Sequence, residues 1–246
     1  MLHRTGAKCA RSRAHYILRV SELPIIDPTV RRTYAGTGLA DDVTGAPLPL
    51  LRLWWAQAVD DERIAEPDAM VVATVDEAGH PDARTVLLKQ LTPAGFTFFT
   101  NTDSTKGRQL RRTPYAALVL LWHPMHRQVR VRGPVTQVAR EEAAAYFATR
   151  PRDSQVASAA SQQSRPVASR AQLERAVAAE QARWPDTGSP TDVPLPPSWG
   201  GYRLQPDEVE LWAGRPSRLH DRILFRRAGT GDLDDASAWT VTRLQP

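Results

Sequence analysis

The chain has 246 residues, 41% hydrophobic and 24% charged, with a single cysteine and a formal charge of +5. That length supports one sizeable core rather than two, no apolar run reaches the roughly 18 residues of a membrane span, and Cys9 alone excludes an intrachain disulfide or a multi-cysteine metal site, which fits a reducing, cytoplasmic setting. The charge excess lies in the first 20 residues, where Arg4, Lys8, Arg11, Arg13 and Arg19 face no acidic side chain; a basic tail on a charge-balanced body argues against nucleic-acid binding, which gathers cations on a folded face.

Residues 1–25 read as a disordered basic tail and residues 26–246 as one domain. The stretch 47–64 has Leu50, Leu51, Trp54, Trp55 and Ala58 at helical spacing and predicts an amphipathic helix. The period then changes to short β-branched and aromatic runs at 70–76, 83–91, 95–101 and 115–123, with EAGHP and TPAG as hairpin turns between the first three. A further strand is expected at 127–138. Strands this closely spaced favour an antiparallel sheet or barrel over βαβ units. Residues 104–112 predict a short helix capped by Ser104, and helices follow at 140–150, stopped by Pro151, and at 170–184. The C-terminal stretch returns to strands, with 229–237 as an exposed turn.

No GxGxxG, P-loop, HExxH or GxSxG motif is present and the six histidines are scattered, so no metal site is expected. Three polar clusters remain. In ARTVLLKQ, strand alternation puts Arg84 and Lys89 on opposite faces, able to serve two anions or simply to cap strand ends. Tyr146, Arg150 and Ser154 fall at i, i+4 and i+8; if helical geometry continues past Pro151 they form a donor set suited to a phosphate monoester, and otherwise a solvated face. In RLHDR, a strand would carry Arg218, His220 and Arg222 on one face and Leu219 and Asp221 on the other. That is an electropositive edge, or an ordinary ion-paired one.

The ordered motifs RTVLLK, GFTFFTN-x-x-S-x-KG, RQVRVRG-x-V, YF-x-x-RP-x-x-SQ, S-x-QS, P-x-x-WGGYR, E-x-W-x-G and RLHDR resemble the pyridoxine/pyridoxamine 5'-phosphate oxidase family over roughly residues 26–246. The resemblance implies a mainly β fold with flanking helices, an antiparallel FMN-binding split β-barrel, working as a homodimer with FMN at the subunit interface. It implies FMN contacts at Arg84, Thr85, Val86, Leu87, Leu88, Lys89, Phe99, Thr100, Thr105, Lys106, Gln128, Gln163, Ser164, Trp212 and Arg222. Substrate contacts would be Arg31, Tyr34, Lys89, Tyr146, Arg150, Ser154, Arg218 and His220, with Arg218 and His220 beside the reacting carbon of a small phosphorylated pyridine. The segment RRTY (31–34) would close over the site. Family members often carry Tyr at the position of Phe99 and Arg at that of Thr105, so this chain lacks two donors near the flavin. The implied reaction oxidises pyridoxamine or pyridoxine 5'-phosphate to pyridoxal 5'-phosphate, with O2 as acceptor and H2O2 as product.

Overall fold

The computed structural model describes residues 33, 34, 36 and 38–246. The basic tail and Arg31 lie outside the described residues. Helix α1 (Pro47–Asp60) starts on a proline, whose missing N–H costs nothing in the first turn, and buries Leu48, Leu51, Trp54 and Ala58. Trp55, expected on the same side, stays 38% exposed, because one further residue turns it about 100° off that stripe.

Ten strands follow: β1 (Ala69–Val75), β2 (Pro81–Leu87), β3 (Gln90–Thr92), β4 (Gly95–Asn101), β5 (Tyr115–Trp122), β6 (Arg127–Gln137), β7 (Trp199–Leu204), β8 (Glu208–Ala213), β9 (Asp221–Arg227) and β10 (Trp239–Leu244). All pairings among them are antiparallel, in the order β10-β9-β8-β6-β5-β1-β2, with β7 and then β4 and β3 branching from β6. Strand β6 makes the branch: residues 127–132 pair with β8 and residues 135–137 with β7. Gly133 sits at the changeover, where a β-carbon would lie 2.1 Å from the Gln205 carbonyl oxygen, so only glycine permits this approach. The curved sheet closes around Val72, Phe96, Phe98, Leu118, Val131, Leu211 and Phe225, all fully buried. Burial of each large side chain contributes about 1.5–3 kcal/mol.

Four further α-helices are α2 (Thr105–Arg112), α3 (Arg140–Ala148), α4 (Arg152–Ala160) and α5 (Arg170–Arg183). Ser104 caps α2 as expected, accepting the Gly107 N–H. A second apolar cluster, of Val138, Ala143, Phe147, Val156, Val193 and Trp199, lies under α3 and α4.

Four sequence expectations are corrected. The run 83–91 is two strands, because after Leu87 the backbone changes partner: the Leu88 N–H goes to Asp68 and the Lys89 N–H to Thr97. The helix through Tyr146 ends at Ala148, and Pro151 begins a new one in an extended conformation (φ −52°, ψ 139°). Residues 229–237 are not wholly exposed: Leu233 is fully buried, its carbonyl accepts the Leu48 N–H, and it ties α1 to the sheet. RLHDR is not a strand over its length. Residues 216–218 form a 3-10 turn with Ser217 and Arg218 at φ 58° and 62°, and β9 begins only at Asp221. Leu219 is therefore 70% exposed rather than structural, while Asp221 is structural, accepting the Leu39 N–H and pairing with Arg243.

Candidate active site

A cavity of about 880 Å³ opens between β2, β4, α2 and the α3–α5 layer. Arg84, Thr85, Val86 and Leu87 line one wall, with Phe99, Thr100, Lys106 and Gln163 beside them. Lys106 is 8% exposed, and its Nζ donates to Thr100 Oγ1 at 2.9 Å, Gln163 Oε1 at 2.8 Å and Ser104 Oγ at 3.4 Å. Among the described residues no carboxylate pairs with it. Burial, and secondarily the positive Arg84 nearby, push its pKa down to about 8. A buried cation solvated only by neutral oxygens is a site for an anion, and a second cation beside it suits a doubly charged phosphate.

The opposite wall carries Tyr146, Arg150 and Ser154. They do not share one helix face, since α3 and α4 are separate, yet the break between the helices turns all three into the same cavity. Arg150 lies over the rings of Trp199 (5.2 Å) and Phe147 (5.7 Å) and donates to Ser158 Oγ at 2.7 Å. Its half-buried guanidinium has its pKa lowered by desolvation. Tyr146 stacks on Phe99 with ring centroids 4.2 Å apart, and Phe99 stacks in turn on Trp199 at 5.5 Å. Lys89 lines this same cavity rather than a separate one, and is paired with Asp68 at 2.9 Å.

A second group forms elsewhere. Gln128, Trp212 and Arg222 are direct cross-strand partners in one row across β6, β8 and β9. His220 packs on Trp212 at 4.7 Å and receives the Arg215 backbone N–H at Nδ1. Tyr34 meets His220 edge-on at 5.3 Å, Trp212 at 5.9 Å and His126 at 4.8 Å. Arg218 is exposed on the preceding turn. Arg222 donates from Nε to Glu210 Oε1 at 2.9 Å, and Arg130 holds the other carboxylate oxygen. Burial alone would raise the Glu210 pKa, but these two arginines bring it below the usual range.

None of Gln128, Trp212, Arg218, His220 and Arg222 lines the 880 Å³ cavity. Four others also fall outside it: Tyr34 packs against His220 and Trp212, Leu88 is buried in the core, Ser164 is exposed at φ 71°, and the Thr105 hydroxyl accepts from Arg108 at 3.2 Å. Sequence reasoning missed Asp68, Ser158 and Trp199 around the cations, the Thr74–Gln109 pair behind Arg84, and the wall supplied by Arg170, Leu173, Glu174 and Val177 of α5. Only Gln109 carried a usable signal, three residues after Lys106 on a capped helix. Among the described residues no group of three His, Cys, Asp or Glu side chains is arranged to hold a metal ion, and no helix is long and apolar enough to cross a membrane.

Two family models match the chain: "Pyridoxamine 5'-phosphate oxidase" over residues 57–183 and "Pyridoxine 5'-phosphate oxidase C-terminal dimerisation region" over residues 199–246. A pyridoxine/pyridoxamine 5'-phosphate oxidase of Nocardia farcinica is 51% identical, over 80% of this chain and 84% of that one. One of Salinibacter ruber is 46% identical, over 88% and 97%. The crystal structure of PhzG from Burkholderia lata, in complex with tetrahydrophenazine-1-carboxylic acid, superposes with TM-score 0.76 at 31% identity, over 86% of this chain and 99% of that one. A pyridoxamine 5'-phosphate oxidase-related, FMN-binding protein of Nostoc punctiforme gives TM-score 0.63 at 17% identity, over 83% and 100%, a likeness of fold. The strand pattern left an antiparallel sheet or a barrel open, and the split barrel implied by the resemblance is the fold these likenesses show.

Proposed function

The chain belongs to the pyridoxamine 5'-phosphate oxidase family, and from that premise we propose that it oxidises pyridoxamine or pyridoxine 5'-phosphate to pyridoxal 5'-phosphate with FMN as cofactor, O2 as acceptor and H2O2 as product. The observation that carries this reading is the presence of two separate anion-binding sets in one cavity. Lys106 and Arg84 suit the flavin phosphate, and Arg150, Tyr146, Ser154 and Lys89 suit the substrate phosphate. Bound FMN would supply a two-electron acceptor, taking hydride from the exocyclic carbon of the substrate.

The residues then have distinct tasks. The Trp199–Phe99–Tyr146 stack holds the Tyr146 ring against the cavity wall. Arg150, flanked by two aromatic faces, keeps its charge while shielded from water, which strengthens its grip on a phosphate. Arg218 and His220 orient the pyridine ring and stabilise charge there, without an essential proton transfer.

Those two residues, with Gln128, Trp212 and Arg222, belong to the second group. The C-terminal match to a dimerisation region supports a homodimer, in which the second group of one subunit completes the cavity of the other. A reading as oxidase of a non-phosphorylated aromatic, suggested by the likeness to PhzG, leaves the Arg150 set without a ligand. The test is spectroscopic. The purified protein should show flavin absorption that bleaches anaerobically with pyridoxamine 5'-phosphate and not with pyridoxamine at equal concentration. Equal bleaching by both would end the phosphate reading.

A further inference from the structure

Arg84 is held from behind by a buried polar clamp. Its Nη1 donates to Thr74 Oγ1 at 2.5 Å and to the Val72 carbonyl at 3.3 Å. Its Nη2 donates to Gln109 Oε1 at 3.2 Å and to the Asp82 carboxylate. Gln109 is itself tied on both ends: Oε1 accepts the Thr74 hydroxyl at 2.6 Å and Nε2 donates to Asp82 Oδ2 at 3.0 Å. Thr74 and Gln109 are 2% and 8% exposed. Neither lines the cavity, whereas Arg84 does. Among the described residues no hydrogen bond uses the Arg84 Nε–H.

These bonds account for the four terminal N–H groups of the guanidinium and leave Nε–H as its one uncommitted donor. A long arginine side chain loses about 2 kcal/mol of rotamer freedom when it is fixed, and here that ordering is made before any ligand arrives. The clamp spans three elements, β1 (Thr74), β2 (Asp82 and Arg84) and α2 (Gln109). Lys106, one turn before Gln109 on α2, is the second cation at the same place, so one helix both supplies a cation and sets the pose of the other.

We infer that Gln109 and Thr74 are positioning residues for the flavin phosphate: they act through Arg84, holding its Nε–H and charge toward the cavity. The inference rests on the reading of this wall as the flavin-phosphate site. It predicts that damage to the clamp is felt by FMN and not by riboflavin, which has the same ring system and no phosphate.

The test compares FMN and riboflavin affinities, by flavin fluorescence, for the apoprotein and for Gln109→Leu, Thr74→Val and Thr74→Ser, with thermal melts as a fold check. The two clamp-breaking variants should bind FMN about tenfold more weakly, the loss expected when a charge-assisted contact is mis-set, with riboflavin affinity unchanged. Thr74→Ser keeps the hydroxyl and should restore FMN binding. On Arg84→Met, Gln109→Leu should have no further effect, because the group it positions is gone. If Gln109→Leu does not fold, the Thr74→Val and Thr74→Ser pair decides alone. Equal losses for FMN and riboflavin, or no loss for FMN, overturn the inference. A wild-type protein that does not prefer FMN to riboflavin overturns the phosphate reading of the wall, and the inference with it.

Discussion

Lys106 donates to Gln163 Oε1 across 2.8 Å, so a nearly buried ammonium is solvated by an amide oxygen and hydroxyls where a carboxylate would ordinarily stand. Its pKa of about 8, against an ordinary 10.5, gives a pH signature. Above pH 8 the empty cavity loses this cation, so FMN affinity should fall by up to about tenfold per pH unit. Stability moves the other way. Between about 8 and 10.5 the unfolded chain keeps a proton that the folded apoprotein has released, so this group makes the apoprotein more stable as pH rises. Fluorescence titrations from pH 7 to 9.5 check the affinity, with Lys106→Met expected to bind weakly and without that slope. The same slope in the variant would rule Lys106 out as its source.

Thr105 stands where the resemblance leads one to expect arginine, and its hydroxyl is used by Arg108 rather than by the cavity. Thr105→Arg would add a cation at the first position of α2, beside Lys106. Because the position is partly solvent-exposed, the gain should be modest, about 1 kcal/mol or roughly fivefold in FMN affinity. Equilibrium dialysis against FMN measures it, and an unchanged dissociation constant would mean that the substitution does not limit flavin retention.

Most strands were legible because apolar alternation and Gly/Pro punctuation act locally: β1, β4, β5 and β6 lie within a residue of their expected ends. The errors came where tertiary pairing overrides local pattern. Nothing within 83–91 says that the chain leaves β1 for β4 after Leu87; that change is set by hydrogen bonds to Asp68 and Thr97. RLHDR alternates like a strand but turns at Ser217 and Arg218, whose left-handed backbone, costly for non-glycine residues, is imposed by its surroundings. The site was legible as residue types and only partly as geometry. Spacing put Tyr146, Arg150 and Ser154 together on condition that helical geometry persisted past Pro151; a new helix does start there, but after a break, and spacing could not foresee that Gln128, Trp212 and Arg222 would lie outside the cavity that Lys106 lines.

Arg150 gives the substrate test. Removing its guanidinium takes a half-buried, aromatic-flanked cation from the proposed phosphate set. Arg150→Met should lower kcat/KM for pyridoxamine 5'-phosphate by about 30- to 100-fold, the equivalent of roughly 2–3 kcal/mol, while leaving FMN bound. Arg150→Lys, which keeps the charge without the planar fork, should recover only part of that loss. Steady-state assays of peroxide release separate these outcomes, and equal rates for Met and wild type would remove Arg150 from the substrate site.

Arg218 is presented on a left-handed turn outside the cavity of its own subunit. Arg218→Ala should cut turnover heavily, by about 100-fold if the residue stabilises charge at the reacting carbon. The flavin spectrum and FMN affinity should not change. Turnover that survives the substitution would leave the residue without the proposed role.

The division of site residues into two groups makes the last prediction a matter of symmetry. If each site takes its cavity from one subunit and Arg218 and His220 from the other, Lys106→Met and Arg218→Ala damage different halves. Co-refolding the two inactive variants in equal amounts would give mixed dimers in half the population. Each mixed dimer would have one site with both defects and one with none, so about a quarter of wild-type activity should return. Sites contained within single subunits would regain nothing on mixing, because every subunit would still carry one of the two defects. The contrast depends on neither the rate nor the preferred substrate. A mixture that stays as inactive as its components, with mixed dimers confirmed by mass spectrometry, would therefore reject the two-subunit site while leaving the chemistry of the cavity intact.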